Sequence, residues 1–167
     1  SVRRFLSVIS NSTSTGSPST PISVRKPPAE QESWFNENGP EVPELIEHLR
    51  QHGSEYDVVL FWSYRYYQSF FGLPVVADRA VLVPTAEEDP LIRVDVVGRF
   101  FGLPAGYLFL TPEEADLVAT RCSGPLPPST IIGCGIDPAP AAGSLDVSAL
   151  RISDPFVLYL GRIDANK

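Results

Sequence analysis

Short apolar runs, each about the length of one strand and most followed by enough chain for a helix, recur along this sequence and limit it to an α/β architecture. Val2 to Ile9 is apolar and β-branched enough to be a strand. Tyr56-Asp57-Val58-Val59-Leu60-Phe61-Trp62 is a continuous apolar run bounded by polar residues, the pattern of a strand covered on both faces of a parallel sheet. Ala80 to Pro84, Tyr107 to Leu110, Thr130 to Gly135 and Pro155 to Leu160 repeat the pattern. Helix signals fall between them. Leu45, Ile46 and Leu49, with Glu44, Glu47 and Arg50 interleaved, mark an amphipathic helix from Pro43 that stops at Gly53. A second helix is predicted over Leu91 to Phe101. A third follows Thr111-Pro112-Glu113-Glu114, which supplies an N-cap, a proline at the first helical position and acids against the positive helix end, and it runs to about Arg121. Tyr64 to Phe71 is short, aromatic and closed by Gly72-Leu73-Pro74. The predicted fold is a mostly parallel sheet with helices on both faces.

Domain boundaries follow from composition. Residues 10–33 are dominated by Ser, Thr, Asn, Gly and Pro around Asn11 to Thr20 and again at Pro27-Pro28, and they read as a flexible loop whose far end Trp34 and Phe35 pin to the body. Residues 1–137 form one domain, 138–154 a linker of Pro, Ala and Gly, and 155–167 the first strand and loop of a second domain. The chain opens on Ser1 and closes on Lys167 straight after a strand-like run, so both ends read as cuts.

The formal net charge of -7 excludes a phosphate-backbone binder, which needs clustered Lys and Arg to release counterions, so no nucleic-acid partner is expected. Cys122 and Cys134 are too few for a disulfide framework or a zinc site, and only His48 and His52 are available to join them as ligands. A reducing, cytoplasmic setting fits this usage. No apolar stretch has the roughly 18 residues of a membrane-spanning helix, and no signal-peptide pattern opens the chain. Attachment at a membrane periphery stays open.

Ligands of parallel sheets sit beyond the carboxyl ends of the strands. That rule directs attention to Ser63-Tyr64-Arg65, to Thr85-Ala86-Glu87-Glu88-Asp89, to Thr111, to Gly133 to Asp137 and to Gly161 to Lys167. In Gly161-Arg162-Ile163-Asp164-Ala165-Asn166-Lys167 a glycine after an apolar strand permits close approach of an anion, and Arg162 and Lys167 add a planar fork and a point charge, which suits a diphosphate.

The order Ile131-Ile132-Gly133-Cys134-Gly135-Ile136-Asp137, a proline-rich linker, then Phe156-Val157-Leu158-Tyr159-Leu160-Gly161-Arg162-Ile163-Asp164 to Lys167 resembles the interdomain passage of retaining group-1 glycosyltransferases of the GT-B fold. The resemblance runs from about Trp34 onward and is most specific over the last third. It implies a Rossmann-like acceptor domain joined to a truncated donor-binding domain. Gly161, Arg162 and Lys167 then match the residues that hold the donor diphosphate and offset charge on the departing nucleotide. Where relatives carry a histidine after the strand matched by Ala80 to Pro84, this chain has Thr85-Ala86-Glu87-Glu88, and Glu87 takes the catalytic candidate's place. Ser63, Tyr64, Thr85 and Glu88 are the acceptor-side candidates, with Trp62, Tyr66 and Tyr67 beside Tyr64 as flat faces for a sugar ring. The family's first glycine-rich loop is not visible, and its Glu-x7-Glu motif would lie beyond Lys167.

The implied activity is transfer of a hexose from a nucleotide diphosphate sugar to a carbohydrate, lipid or small-molecule acceptor, with retention of configuration and with the fragment itself inactive. No metal and no cofactor beyond the donor substrate is required by these residues. The alternative is a non-catalytic α/β interaction or scaffold domain. A dinucleotide enzyme is disfavoured because no Gly-x-Gly-x-x-Gly follows a predicted strand.

Overall fold

In the computed structural model, which describes residues 5–8, 26–37 and 40–135, strands stand where the apolar runs lie. β1 (Phe5–Val8), β2 (Val58–Trp62), β3 (Ala80–Val83), β4 (Gly106–Phe109) and β5 (Ser129–Ile131) form one sheet in chain order, and every neighbouring pair is parallel. The fold is α/β and Rossmann-like, as the alternation predicts. The chain divides into two units between Cys134 and Gly135, and the described fold is that of the first. The predicted linker and the strand and loop of 155–167 lie outside the described residues.

Five helices connect or flank the strands: α1 (Pro28–Glu37), α2 (Pro43–His52), α3 (Tyr67–Gly72), α4 (Asp95–Phe100) and α5 (Pro112–Arg121). Parallel crossovers are right-handed, so a sheet whose strands follow one another without reversal places its connections on one face. The packing agrees. Register sets Phe61 opposite Leu82 and Leu82 opposite Tyr107. These side chains, with Val59, Ala80 and Phe109, share a single buried cluster with Phe35, Leu49, Phe70, Val97 and Val118 from the five helices. The alternate positions Val58, Leu60, Val81 and Leu108 are half-buried and outside that cluster, and Trp62 is 38% exposed. Among the described residues the helices therefore cover one face, where the sequence led us to expect both.

Two segments differ from expectation for identifiable reasons. The loop predicted to run to residue 33 gives way at Pro28 to α1. Proline fits the first helical turn because its missing N–H has no partner to lose there, while the helix shows no apolar stripe. Its only buried side chains are Gln31 and Phe35. Phe35 stacks on Phe70 with ring centroids 3.7 Å apart, and the Gln31 amide donates to the Lys26 carbonyl at 2.8 Å and accepts from the Val96 N–H at 3.2 Å. The helix predicted over Leu91 to Phe101 is interrupted. A tight turn at Leu91–Arg93 is followed by extended Val94 and then α4. Val94 offers no side-chain cap, and Gln31 from α1 meets the buried N-terminal donor of Val96 instead.

Candidate functional site

At the carboxyl edge of β3 and β4 a cleft of about 310 Å³ is lined by Thr85, Ala86, Glu87, Leu110, Thr111 and Glu114. The loop after β3 supplies the first three, the connection between β4 and α5 supplies Leu110 and Thr111, and α5 supplies Glu114. What joins them is Glu114, a buried residue at 6% exposure. One oxygen accepts from the Ala86 N–H and the other from the Leu110 N–H, both at 2.7 Å. The Glu114 N–H in turn donates to Thr111 Oγ1 at 3.1 Å, completing the N-cap. One carboxylate thus ties the ends of two adjacent strands together. Sequence reasoning placed Glu114 only against the helix dipole; the Thr-x-x-Glu spacing from Thr111 was the available signal, since glutamate at that position reaches back to free donors at the helix start.

The backbone beside the cleft is strained. Ser63 after β2 has φ 66° and Thr85 after β3 has φ 50°, a region that side chains rarely occupy and that is costliest for a β-branched residue such as threonine. Ladder bonds continue past the strands here: the Ser63 N–H donates to the Val83 carbonyl at 2.8 Å and the Tyr64 N–H to the Pro84 carbonyl at 3.3 Å. Ser63 is itself buried, and its Oγ accepts from the Arg65 N–H at 3.4 Å.

Tyr64, expected to face an acceptor, is fully buried and packs edge-on against Phe101 at 5.2 Å between ring centroids. It offers no free face for a sugar ring. Among the described residues its hydroxyl has no hydrogen-bond partner. Burial raises its pKa well above the usual phenol value, and the charge of Asp89 adds to the shift. Arg65 points instead to the acids, paired with Asp89, whose other oxygen accepts from the Ile92 N–H at 3.1 Å.

The two neighbouring glutamates part company. Glu87 lines the cleft with its side chain 75% exposed, 3.9 Å from Arg65. Glu88 turns away from the cleft. It accepts from Arg93 Nε at 2.6 Å and from Arg121 Nη2 at 3.1 Å, and these two partners, Arg93 first, hold its pKa below the usual carboxylate value. Of the acceptor-side candidates, Thr85 lines the cleft, while Ser63, Tyr64 and Glu88 do not. Among the flat faces, Trp62 is exposed and Tyr67 leans on Phe71. Gly161, Arg162 and Lys167 lie outside the described residues.

The lining consists of hydroxyl, carboxylate and apolar groups. The Ala86 and Leu110 donors are taken by Glu114 and are not free to meet an anion. Among the described residues no group of three or more His, Cys, Asp or Glu side chains gathers around a metal position, and no helix is long and apolar enough to cross a membrane. No protein-family model, curated protein or solved structure matches the chain.

Proposed function

We propose that this chain is the acceptor-binding half of a nucleotide-sugar-dependent glycosyltransferase, which moves a hexose to a hydroxylated acceptor with retention of configuration. The observation that carries the proposal is the chemistry of the cleft. Thr85, Thr111 and the exposed Glu87 line a concavity at the carboxyl edge of a parallel sheet, and the Ala86 and Leu110 N–H donors there are taken by Glu114. Such a lining suits a neutral polyhydroxylated ligand, whose O–H groups donate to a carboxylate and exchange bonds with hydroxyls. Glu87 would orient the acceptor hydroxyl. The donor diphosphate would meet Gly161, Arg162 and Lys167, in keeping with the resemblance of that segment.

The test is amide chemical-shift mapping of the whole chain with neutral mono- and disaccharides and, separately, with uridine and guanosine diphosphates. Saccharides are expected to move Thr85, Ala86, Glu87 and Thr111, and Glu87→Ala to weaken that binding about tenfold, the loss of one charge-assisted hydrogen bond. Diphosphates are expected to act through Arg162 and Lys167. Diphosphates moving the cleft amides, with saccharides moving none, would overturn the assignment.

A non-catalytic interaction domain is the second reading, favoured by the half-exposed apolar face at Val58, Leu60 and Trp62. It predicts that neither ligand class moves the cleft.

A further inference from the structure

The C-terminal half of α2 carries two imidazoles on one face. His48 and His52 stand four residues apart, which brings side chains one above the other on a helix. Their ring centroids are 4.9 Å apart with the planes tilted by 32°, and both side chains are exposed. A metal ion bonded to two imidazoles at about 2.0 to 2.1 Å holds their nitrogens roughly 3 Å apart. The centroid separation of 4.9 Å is within reach of that requirement.

Each ring is also held from behind. Nδ1 of His52 lies 2.8 Å from Glu55 Oε1, and Nε2 of His48 lies 2.9 Å from Tyr56 Oη. An imidazole that donates one N–H to a carboxylate keeps the lone pair of its other nitrogen for a metal, and such an orienting partner is the usual companion of a histidine ligand. Glu55 places that lone pair on Nε2 of His52. In the tautomer where His48 donates to Tyr56, the lone pair of His48 lies on Nδ1. Glu44, one further turn back on the same face of α2, adds negative charge to the approach.

The geometry points to His48 and His52 as a two-imidazole site for a divalent transition-metal ion of the Zn²⁺, Ni²⁺ or Cu²⁺ class, with water filling the remaining positions and Glu55 as a positioning residue. Imidazole favours these ions over Mg²⁺ and Ca²⁺, which prefer oxygen ligands. The site is independent of the cleft, and its occupant would brace the end of α2 against the Gly53–Glu55 turn that leads into β2.

The experiment is calorimetric titration of the untagged whole chain, freed of metal, with ZnCl₂ and NiCl₂, and with MgCl₂ as the contrast. One Zn²⁺ or Ni²⁺ per chain is expected, and none of the Mg²⁺. His48→Ala and His52→Ala should each weaken binding at least tenfold, because a second ligand contributes the chelate advantage. Glu55→Gln should weaken it about tenfold, with circular dichroism unchanged, since orienting partners typically contribute a factor of 10 to 100. A Cys122→Ala, Cys134→Ala chain should bind as the parent does. Absence of binding up to about 1 mM Zn²⁺ and Ni²⁺, or binding that survives both histidine substitutions, would overturn the site.

Discussion

Replacing Glu114 tests whether one carboxylate holds the cleft in shape. Its two oxygens take the Ala86 and Leu110 N–H groups at 2.7 Å, in a side chain only 6% exposed. Alanine would leave both donors without their partner. Orphaning a buried donor costs about 1 to 3 kcal/mol, and the cleft admits water that recovers part of it. Glu114→Ala should therefore destabilise by about 2 to 4 kcal/mol. Glutamine keeps one acceptor but turns an amide N–H₂ toward the second donor, so it should cost about 1 to 2 kcal/mol. Aspartate is one methylene short of spanning both strands and should resemble alanine more than glutamine. Urea unfolding gives the magnitude, with an unchanged m-value showing that native compactness is retained. Amide hydrogen exchange gives the place, because only Ala86, Leu110 and their immediate neighbours should lose protection in the glutamine variant. A Glu114→Ala chain within about 0.5 kcal/mol of the parent, with Ala86 and Leu110 still protected, would refute the idea that this bridge holds the two strand ends together.

Other substitutions separate the remaining interactions. Tyr64→Phe removes a buried hydroxyl that has no partner among the described residues, so urea unfolding should show stability equal to the parent or higher by up to about 1 kcal/mol; a loss above that would mean the hydroxyl is bonded. Gly98→Ala would bring a Cβ within 2.9 Å of the Arg121 carbonyl oxygen and 2.7 Å of Ser123 Oγ, and overpacking against backbone should lower stability by about 1 to 3 kcal/mol. Glu88 has a lowered pKa in the folded chain, so its contribution is present above the unfolded carboxylate value near about 4.3 and is lost as pH falls through the folded value. Accordingly, Glu88→Gln should flatten the acid limb of a stability-versus-pH curve and leave less salt dependence at neutral pH; an acid limb identical to the parent's would show that the Arg93 and Arg121 pairs contribute nothing.

Much of the local structure was legible because its causes are local. Thr111 caps α5 and Pro112 starts it, as the residue types require. α2 begins at Pro43 and ends before Gly53 where its apolar spacing ends. β2, β3 and β4 lie within a residue or two of their apolar runs. Parallel pairing followed from strands alternating with helical segments. These features depend on backbone sterics, side-chain period and free N–H groups within a few residues, all of which a linear reading contains.

Contacts between distant residues decided the rest. The first part of α1 was read as loop because its buried Gln31 gains its value from Val96, which lies far along the chain. The break at Val94 depends on that same Gln31. Glu87 and Glu88 are adjacent and chemically alike, and they separated only when the fold brought Arg93 and Arg121 to one and the cleft to the other. Tyr64 turned inward because Phe101 closes over it. The strand order placed the described helices on one face, a matter of which neighbour each strand chose. Sequence period tells a side chain which face of its own element it occupies; only tertiary packing determines what stands opposite that face, and the candidate site is made of such oppositions.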